Sequence, residues 1–176
     1  MKFALPCLVV VAMAMSSTAC KRSRKQRVET VEDDKTELSS VVAMSNTAHA
    51  VQLVRGFYDL EQGGWRWTMG KFSVTLKTPS GAGEKGATLE LKTSVPEAVL
   101  SKIQTTTLSA SIGGTALEPE KLSKPGEFVY TRNVPASALK SEAVTVDFEL
   151  DKFLAAGMVE QRELGIIVTS VGLLAK

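Results

Sequence analysis

The chain has 176 residues, 21 Lys+Arg against 19 Asp+Glu and a single His, giving a net charge of +2. That length fits one domain, and an apolar fraction of 44% is ordinary for a globular protein. One His and two Cys cannot supply the ligands of the usual zinc sites. Cys7 and Cys20, both near the N-terminus, cannot form a disulfide framework, and a Ser-His-Asp or Cys-His enzyme would have to use His49, in a polar stretch.

The chain opens on Lys2, followed by Phe3 to Met15 without a charge and then the small residues Ser16 to Ala19 before Cys20. This is the three-part layout of a secretory signal, expected over residues 1–19. Thirteen helical residues would span about 20 Å, short of the roughly 30 Å hydrocarbon core, so a transmembrane helix is the weaker reading. Ser17-Thr18-Ala19-Cys20 resembles the lipobox of bacterial lipoproteins. The resemblance implies diacylation of the Cys20 thiol, cleavage before it and acylation of the new amine, and hence a lipid-anchored protein of the cell envelope. Ser17 stands where that family usually has Leu, so ordinary secretory cleavage after Ala19 stays open. By the same analogy, Lys21 in place of an Asp favours the outer membrane, if the host has one.

Residues 21–27 carry five positive charges, and residues 29–37 carry five acids and one Lys. Neither block can bury anything, and both read as a solvated tether. The basic block could also lie on anionic headgroups, at about 1 kcal/mol per cation near the surface. The small, weakly apolar residues after Glu37 extend the expected tether over 20–50, with His49 as a linker residue. From residue 28 onward, 15 Lys+Arg face 19 Asp+Glu, so the remainder is mildly acidic. It has no basic face for nucleic acid.

After Ala50 the apolar period is two. Trp65, Trp67 and Met69 alternate with Arg66 and Thr68, then Phe72, Val74 and Leu76 alternate with Ser73 and Thr75. The change of parity predicts a bulge or bend at Gly70. Leu89 and Leu91 mark a further strand. Leu108, Ala110 and Ile112 run into the hairpin signal Gly113-Gly114, and Phe128 and Tyr130 follow Pro125-Gly126. Val144, Val146, Phe148 and Leu150 form the cleanest half-buried strand. Leu164 to Leu174 is apolar on both faces through Ile166, Ile167 and Val168, which predicts a central strand. Single helical turns are expected at Pro96–Ser101 and Pro135–Leu139, and a mobile loop at Pro79–Gly86. The expectation is an all-β domain over 51–176: one antiparallel β-sandwich of seven or eight strands, Ig-like or jelly-roll-like.

Three pieces, taken in order, carry a further resemblance. They are Gly56-Phe57-Tyr58 with Glu61, then Trp65-Arg66-Trp67-Thr68, and Arg162-Glu163-Leu164-Gly165-Ile166 near the C-terminus. Across residues 53–174 this order resembles a β-sandwich module of bacterial envelope-associated proteins. Such modules occur alone or appended to glycosyltransferases of surface-polysaccharide synthesis. The resemblance implies a sandwich associated with cell-surface glycans and supplies no catalytic residues.

Two roles are open for the aromatic residues. Trp65 and Trp67 point the same way from a strand and either both fill the core or, with Tyr58, leave an aromatic platform for a sugar ring flanked by Arg66 and Glu61. For Arg66 and Arg162, with Glu61 and Glu163 near in sequence, structural ion pairs are weighed ahead of ligand binding. Asp147 and Glu149 could sit at the 5–9 Å separation of a glycosidase pair, a remote reading, because alternating acids opposite an apolar face are usually its solvated side. No G-x-S-x-G, P-loop or G-x-G-x-x-G motif occurs, and no metal or cofactor is expected. The sequence thus suggests a non-catalytic envelope lipoprotein whose partner is an envelope polysaccharide or, alternatively, another envelope protein.

Overall fold

The computed structural model describes residues 37–158 and 160–176; the expected signal peptide, Cys20 and the charged blocks up to residue 36 lie outside the described residues. In chain order the strands are β1 (Val41–Ala43), β2 (Leu53–Phe57), β3 (Arg66–Lys77), β4 (Ala87–Val95), β5 (Thr106–Ile112), β6 (Thr115–Ala116), β7 (Glu120–Leu122), β8 (Gly126–Val134), β9 (Ala143–Leu150) and β10 (Ile167–Ala175). Among the described residues, helix is confined to α1 (Ala82–Lys85), α2 (Glu97–Ile103) and 3-10 turns at Thr47–Gln52 and Ala136–Ala138.

The strands follow the order β6-β5-β9-β3-β10-β4-β8, with β1 added to β10, β2 to β3 and β7 to β5. Every pairing is antiparallel. β3 belongs to both halves of this sheet. Its first residues pair with β10 (Trp67 with Ile167), and from Lys71 onward it pairs with β9. The sheet therefore curls over β3 into two facing leaves, the sandwich-like all-β architecture that the alternation predicts. It has ten strands because the short β1, β6 and β7 join the longer ones.

One leaf contributes Phe72, Val74, Val146, Phe148, Leu108 and Ile112 to the core, and the other contributes Leu89, Leu91, Tyr130, Val168, Val171 and Leu173. All are buried, and each large apolar side chain removed from water contributes about 1.5–3 kcal/mol. Phe72 and Phe148 stack with ring centroids 4.9 Å apart.

The sequence placed several features differently. The fold begins before Ala50: Val42 and Met44 are buried in the main core, and β1 pairs with Val171 and its neighbours. The weak apolarity of residues 38–50 hid a short strand whose alternate side chains face inward. His49 is part of this structure and not of a linker. Its Nδ1 accepts a hydrogen bond from the Ala43 N–H at 3.0 Å, and Asn46 caps the turn through Ala48 N–H at 3.0 Å.

Gly70 marks the hand-over of β3 between leaves, but the core face does not change parity there. Thr68, Gly70, Phe72, Val74 and Leu76 all bury, while Met69 is exposed. The tryptophans therefore lie on the outer face. Gly70 is small for a steric reason, since a Cβ there would stand 2.3 Å from the Phe153 ring. The two-sided apolar run in the last strand is largely a register shift between Val168 and Ser170, which carries burial from Ile166 and Val168 to Val171 and Leu173. β10 is nonetheless central, flanked by β4 and by β1 and β3. The Pro79–Gly86 loop is packed: Ala82 is buried, and the Lys140 ammonium donates to the Gly83 carbonyl at 2.6 Å.

Candidate functional site

The connection from β2 to β3 is a tight turn. Glu61 N–H donates to the Trp65 carbonyl at 2.9 Å and Gly64 N–H donates to the Glu61 carbonyl at 3.1 Å. Gln62 and Gly63 sit in left-handed backbone, at φ 49 and 72, a region that Gly occupies without steric cost. Tyr58 N–H donates to the Trp67 carbonyl at 3.0 Å, and Glu61 and Trp65 form a bridge. Residues opposite each other across an antiparallel pair share a face, so Tyr58, Glu61, Trp65 and Trp67 meet on the outer side of the sheet. Arg66 points to the other face. Its Nη1 donates to the Tyr58 carbonyl at 2.8 Å, it makes no ion pair among the described residues, and its buried Nε has no partner there.

The two indoles meet edge to face, with centroids 6.3 Å apart and planes at 78°. Both are half-buried. Trp67 packs on a small satellite cluster of Val99 from α2 with Leu154 and Leu164. Trp65 is not part of that cluster or of the main core. Neither of the two roles weighed for the pair holds for both: Trp67 is a packing residue outside the main core, and Trp65 leaves part of its ring to solvent.

The β9–β10 connection supplies the remaining groups. Leu154 and Leu164 exchange two backbone hydrogen bonds of 2.9 Å, closing a neck from which the residues between them loop out. That loop brings Arg162 over the Tyr58 ring, with Cζ 5.0 Å from the centroid. Arg162 Nη1 lies 2.9 Å from Glu61 Oε1, and its Nε lies 2.5 Å from Glu160 Oε1. Hydrogen bonds donated by the guanidinium to these two carboxylates, Glu160 first, hold it firmly in its charged form. The expected Arg162–Glu163 pair does not form. Glu163 instead accepts the Gly70 N–H at 2.6 Å, because adjacent residues on an extended segment point opposite ways.

The separate sequence pieces thus converge at one end of the fold. Thr68 Oγ1 accepts the Ile166 N–H at 3.1 Å, and a Cβ on Gly165 would stand 2.7 Å from the Met69 carbonyl oxygen, so only glycine fits there. Sequence reasoning missed Glu160 as the second arginine partner and Phe153 as the ring over Gly70. The spacing of neither from its partner gives a local signal.

The outer face of the other leaf carries an open groove of about 460 Å³, lined by Arg55, Lys71, Ser109, Ser111, Asp147 and Glu149 among others. Asp147 accepts from Arg55 at 2.9 Å and from Ser73 at 2.6 Å, and Glu149 pairs with Lys71 at 2.8 Å. Each carboxylate has its own cation. No group of three or more His, Cys, Asp or Glu among the described residues could hold a metal ion, and no described helix is long and apolar enough to cross a membrane.

No protein-family model matches the chain, and no curated protein matches it. Among solved structures, the chain is similar to a family GH115 4-O-methyl-α-glucuronidase with specificity for decorated arabinogalactans. The TM-score is 0.42 at 10% identity, over 80% of this chain and 18% of that one. The likeness is to a sheet-rich fold in a distant neighbour, of whose length this chain spans less than a fifth. It says nothing of activity.

Proposed function

We propose that this protein is a non-catalytic, lipid-anchored component of the cell envelope that binds a surface glycan on the Tyr58–Trp65–Trp67 face. The observation that carries the binding half is the assembly beside Trp65. A partly open indole stands next to polar groups that Glu61, Glu160 and Arg162 already hold in place. Sugars stack their apolar C–H faces on such a ring, and fixed carboxylates and guanidinium N–H groups accept from and donate to their hydroxyls. Pre-formed partners lower the ordering cost of binding. Tyr58 is a poorer platform, because Arg162 covers one face of its ring. The anchoring half rests on the lipobox-like Ser17-Thr18-Ala19-Cys20 and the charged stretch behind it. The membrane would be engaged through the lipid, and two or more acyl chains hold a protein there stably.

Titration of the protein with envelope polysaccharides, followed by tryptophan fluorescence, tests the reading. A saturable change that Trp65→Ala abolishes is expected, with the fold of the variant intact by circular dichroism. A flat response to every envelope glycan would retire it.

A second reading, a structural lipoprotein that docks another envelope protein, draws on β8. Among the named strands β8 pairs with β4 alone, and it exposes Val129 at 57%. A free edge of this kind can accept a strand from a partner. Crosslinking from residue 129 in membranes tests it, and recovery of the protein alone would count against it.

A further inference from the structure

We infer that Arg132 is a latch on the free edge of β8 that keeps this protein from pairing, edge to edge, with a second copy of itself. The inference goes beyond the readings above and needs neither the anchor nor the glycan. Among the described strands β1, β2, β6, β7 and β8 each have a single partner, and β8, with nine residues, is the longest of them. A long edge strand presents a row of unpaired N–H and C=O groups, and a second copy carries the same row.

The ladders beside β8 fix which of its backbone groups are free. Leu173 N–H donates to the Ser40 carbonyl at 2.8 Å, on the β1 side of β10. Successive residues of a strand point their backbone groups to opposite edges. Gly172 and Leu174 therefore point to β4, where Glu90 and Thr88 face them. Glu90 and Thr88 in turn point to β10. Thr131 and Asn133, opposite them on β8, point away from β4 to the free edge, and so does Val129.

Arg132 occupies this edge. Its Nη1 donates to the Thr131 carbonyl at 2.8 Å. An amide nitrogen of an added strand, lying about 4.8 Å beyond β8, would have to take that same place. The guanidinium is anchored from the other leaf. Its Nε donates to the Glu118 carbonyl at 2.7 Å, and its Nη2 donates to the Pro119 carbonyl at 3.0 Å and to Glu120 Oε2 at 2.6 Å. Cζ lies 4.4 Å from the centroid of the Tyr130 ring, whose hydroxyl donates to the same Glu118 carbonyl. The Arg132 side chain is only 18% exposed. Strand addition would have to expel a planar fork whose bonds to both leaves hold it in place. Outside its reach the edge is open from Glu127 to Val129, too short a stretch for a ladder of its own, although Val129 is 57% exposed.

Sedimentation equilibrium of the full-length chain in detergent micelles tests the latch, because the N-terminal segment is then common to every variant. Arg132→Ala is expected to dimerise at a concentration at least about tenfold below any at which the wild type does. Adding Val129→Pro removes an edge N–H without touching the β4 ladder, and is expected to return association to the wild-type level. Circular dichroism checks that each variant is folded. If Arg132→Ala does not fold, Arg132→Lys decides: its ammonium keeps a charge for Glu120 but has no fork to hold the Thr131 carbonyl as well. A folded variant at residue 132 that associates no more than the wild type overturns the inference. Association that Val129→Pro leaves intact overturns it too.

Discussion

Trp65 and Trp67 share a strand face, yet the surroundings of their side chains give them different work. Trp67 covers Val99, Leu154 and Leu164, so Trp67→Ala should cost about 2 kcal/mol, less than for a fully buried indole, read as a lower midpoint in chemical denaturation. Trp65→Ala should cost no more than about 1 kcal/mol, because much of what it loses is a single edge-to-face contact. A larger loss at Trp65 than at Trp67 would reverse this assignment. Tyr130 offers a residue-scale test on pH. Its side chain is buried, and its hydroxyl donates to the Glu118 carbonyl at 2.8 Å. Burial pushes its pKa above the ordinary 10.0. The unfolded chain then loses this proton before the folded one does. The contribution is therefore fully present below about pH 10 and is lost as pH rises through the raised value. Thermal melts should show a steeper alkaline fall for the wild type than for Tyr130→Phe. At neutral pH that variant should be less stable by about 1 kcal/mol for the lost hydrogen bond.

At the scale of elements, β3 decides the architecture. It is one continuous strand in sequence and two strands in partnership, with β10 before Gly70 and β9 after it. At the hand-over, the Phe153 ring lies 2.3 Å from where a Cβ on residue 70 would be. Gly70→Ala should therefore destabilise by about 1–3 kcal/mol through overpacking. Phe153→Leu in the same chain should recover part of that loss, whereas additive losses in the double variant would show that the glycine serves another purpose. The loop that carries Arg162 is the second deciding element. Its pairs with Glu61 and Glu160 are part-exposed and worth no more than about 1 kcal/mol each, so they act more to place the loop than to stabilise the fold.

For the whole molecule, the boundary of the fold matters most. A chain beginning at residue 51 lacks Val42 and Met44, both in the main core, and Ser39, whose backbone bonds to Gln52 and Lys77 close the tether end. Such a chain should melt far below one beginning at residue 37, or fail to fold cooperatively. Losing two buried side chains alone removes about 3–6 kcal/mol, comparable with the total stability of a small domain. Equal melting temperatures for the two chains would show that β1 is dispensable.

The sequence alone was enough to specify the all-β class, the antiparallel strands, the Gly113-Gly114 hairpin and the short turns after Pro96 and Pro135. All of these follow from local side-chain alternation and from the backbone limits of Gly and Pro. It also singled out Tyr58, Glu61, Trp65, Trp67 and Arg162 as residues to watch. What it could not decide was which face of β3 met the core, because Trp and Met look as buriable as Phe and Val until a second leaf covers one side. Nor could it pair Arg162 with Glu61 and Glu160 instead of Glu163, since Glu61 lies 101 residues away in sequence. Alternation is a property of a single strand. The choice of inner face and the contacts of a charge depend on what the remote chain brings alongside, and only the folded sheet supplies that.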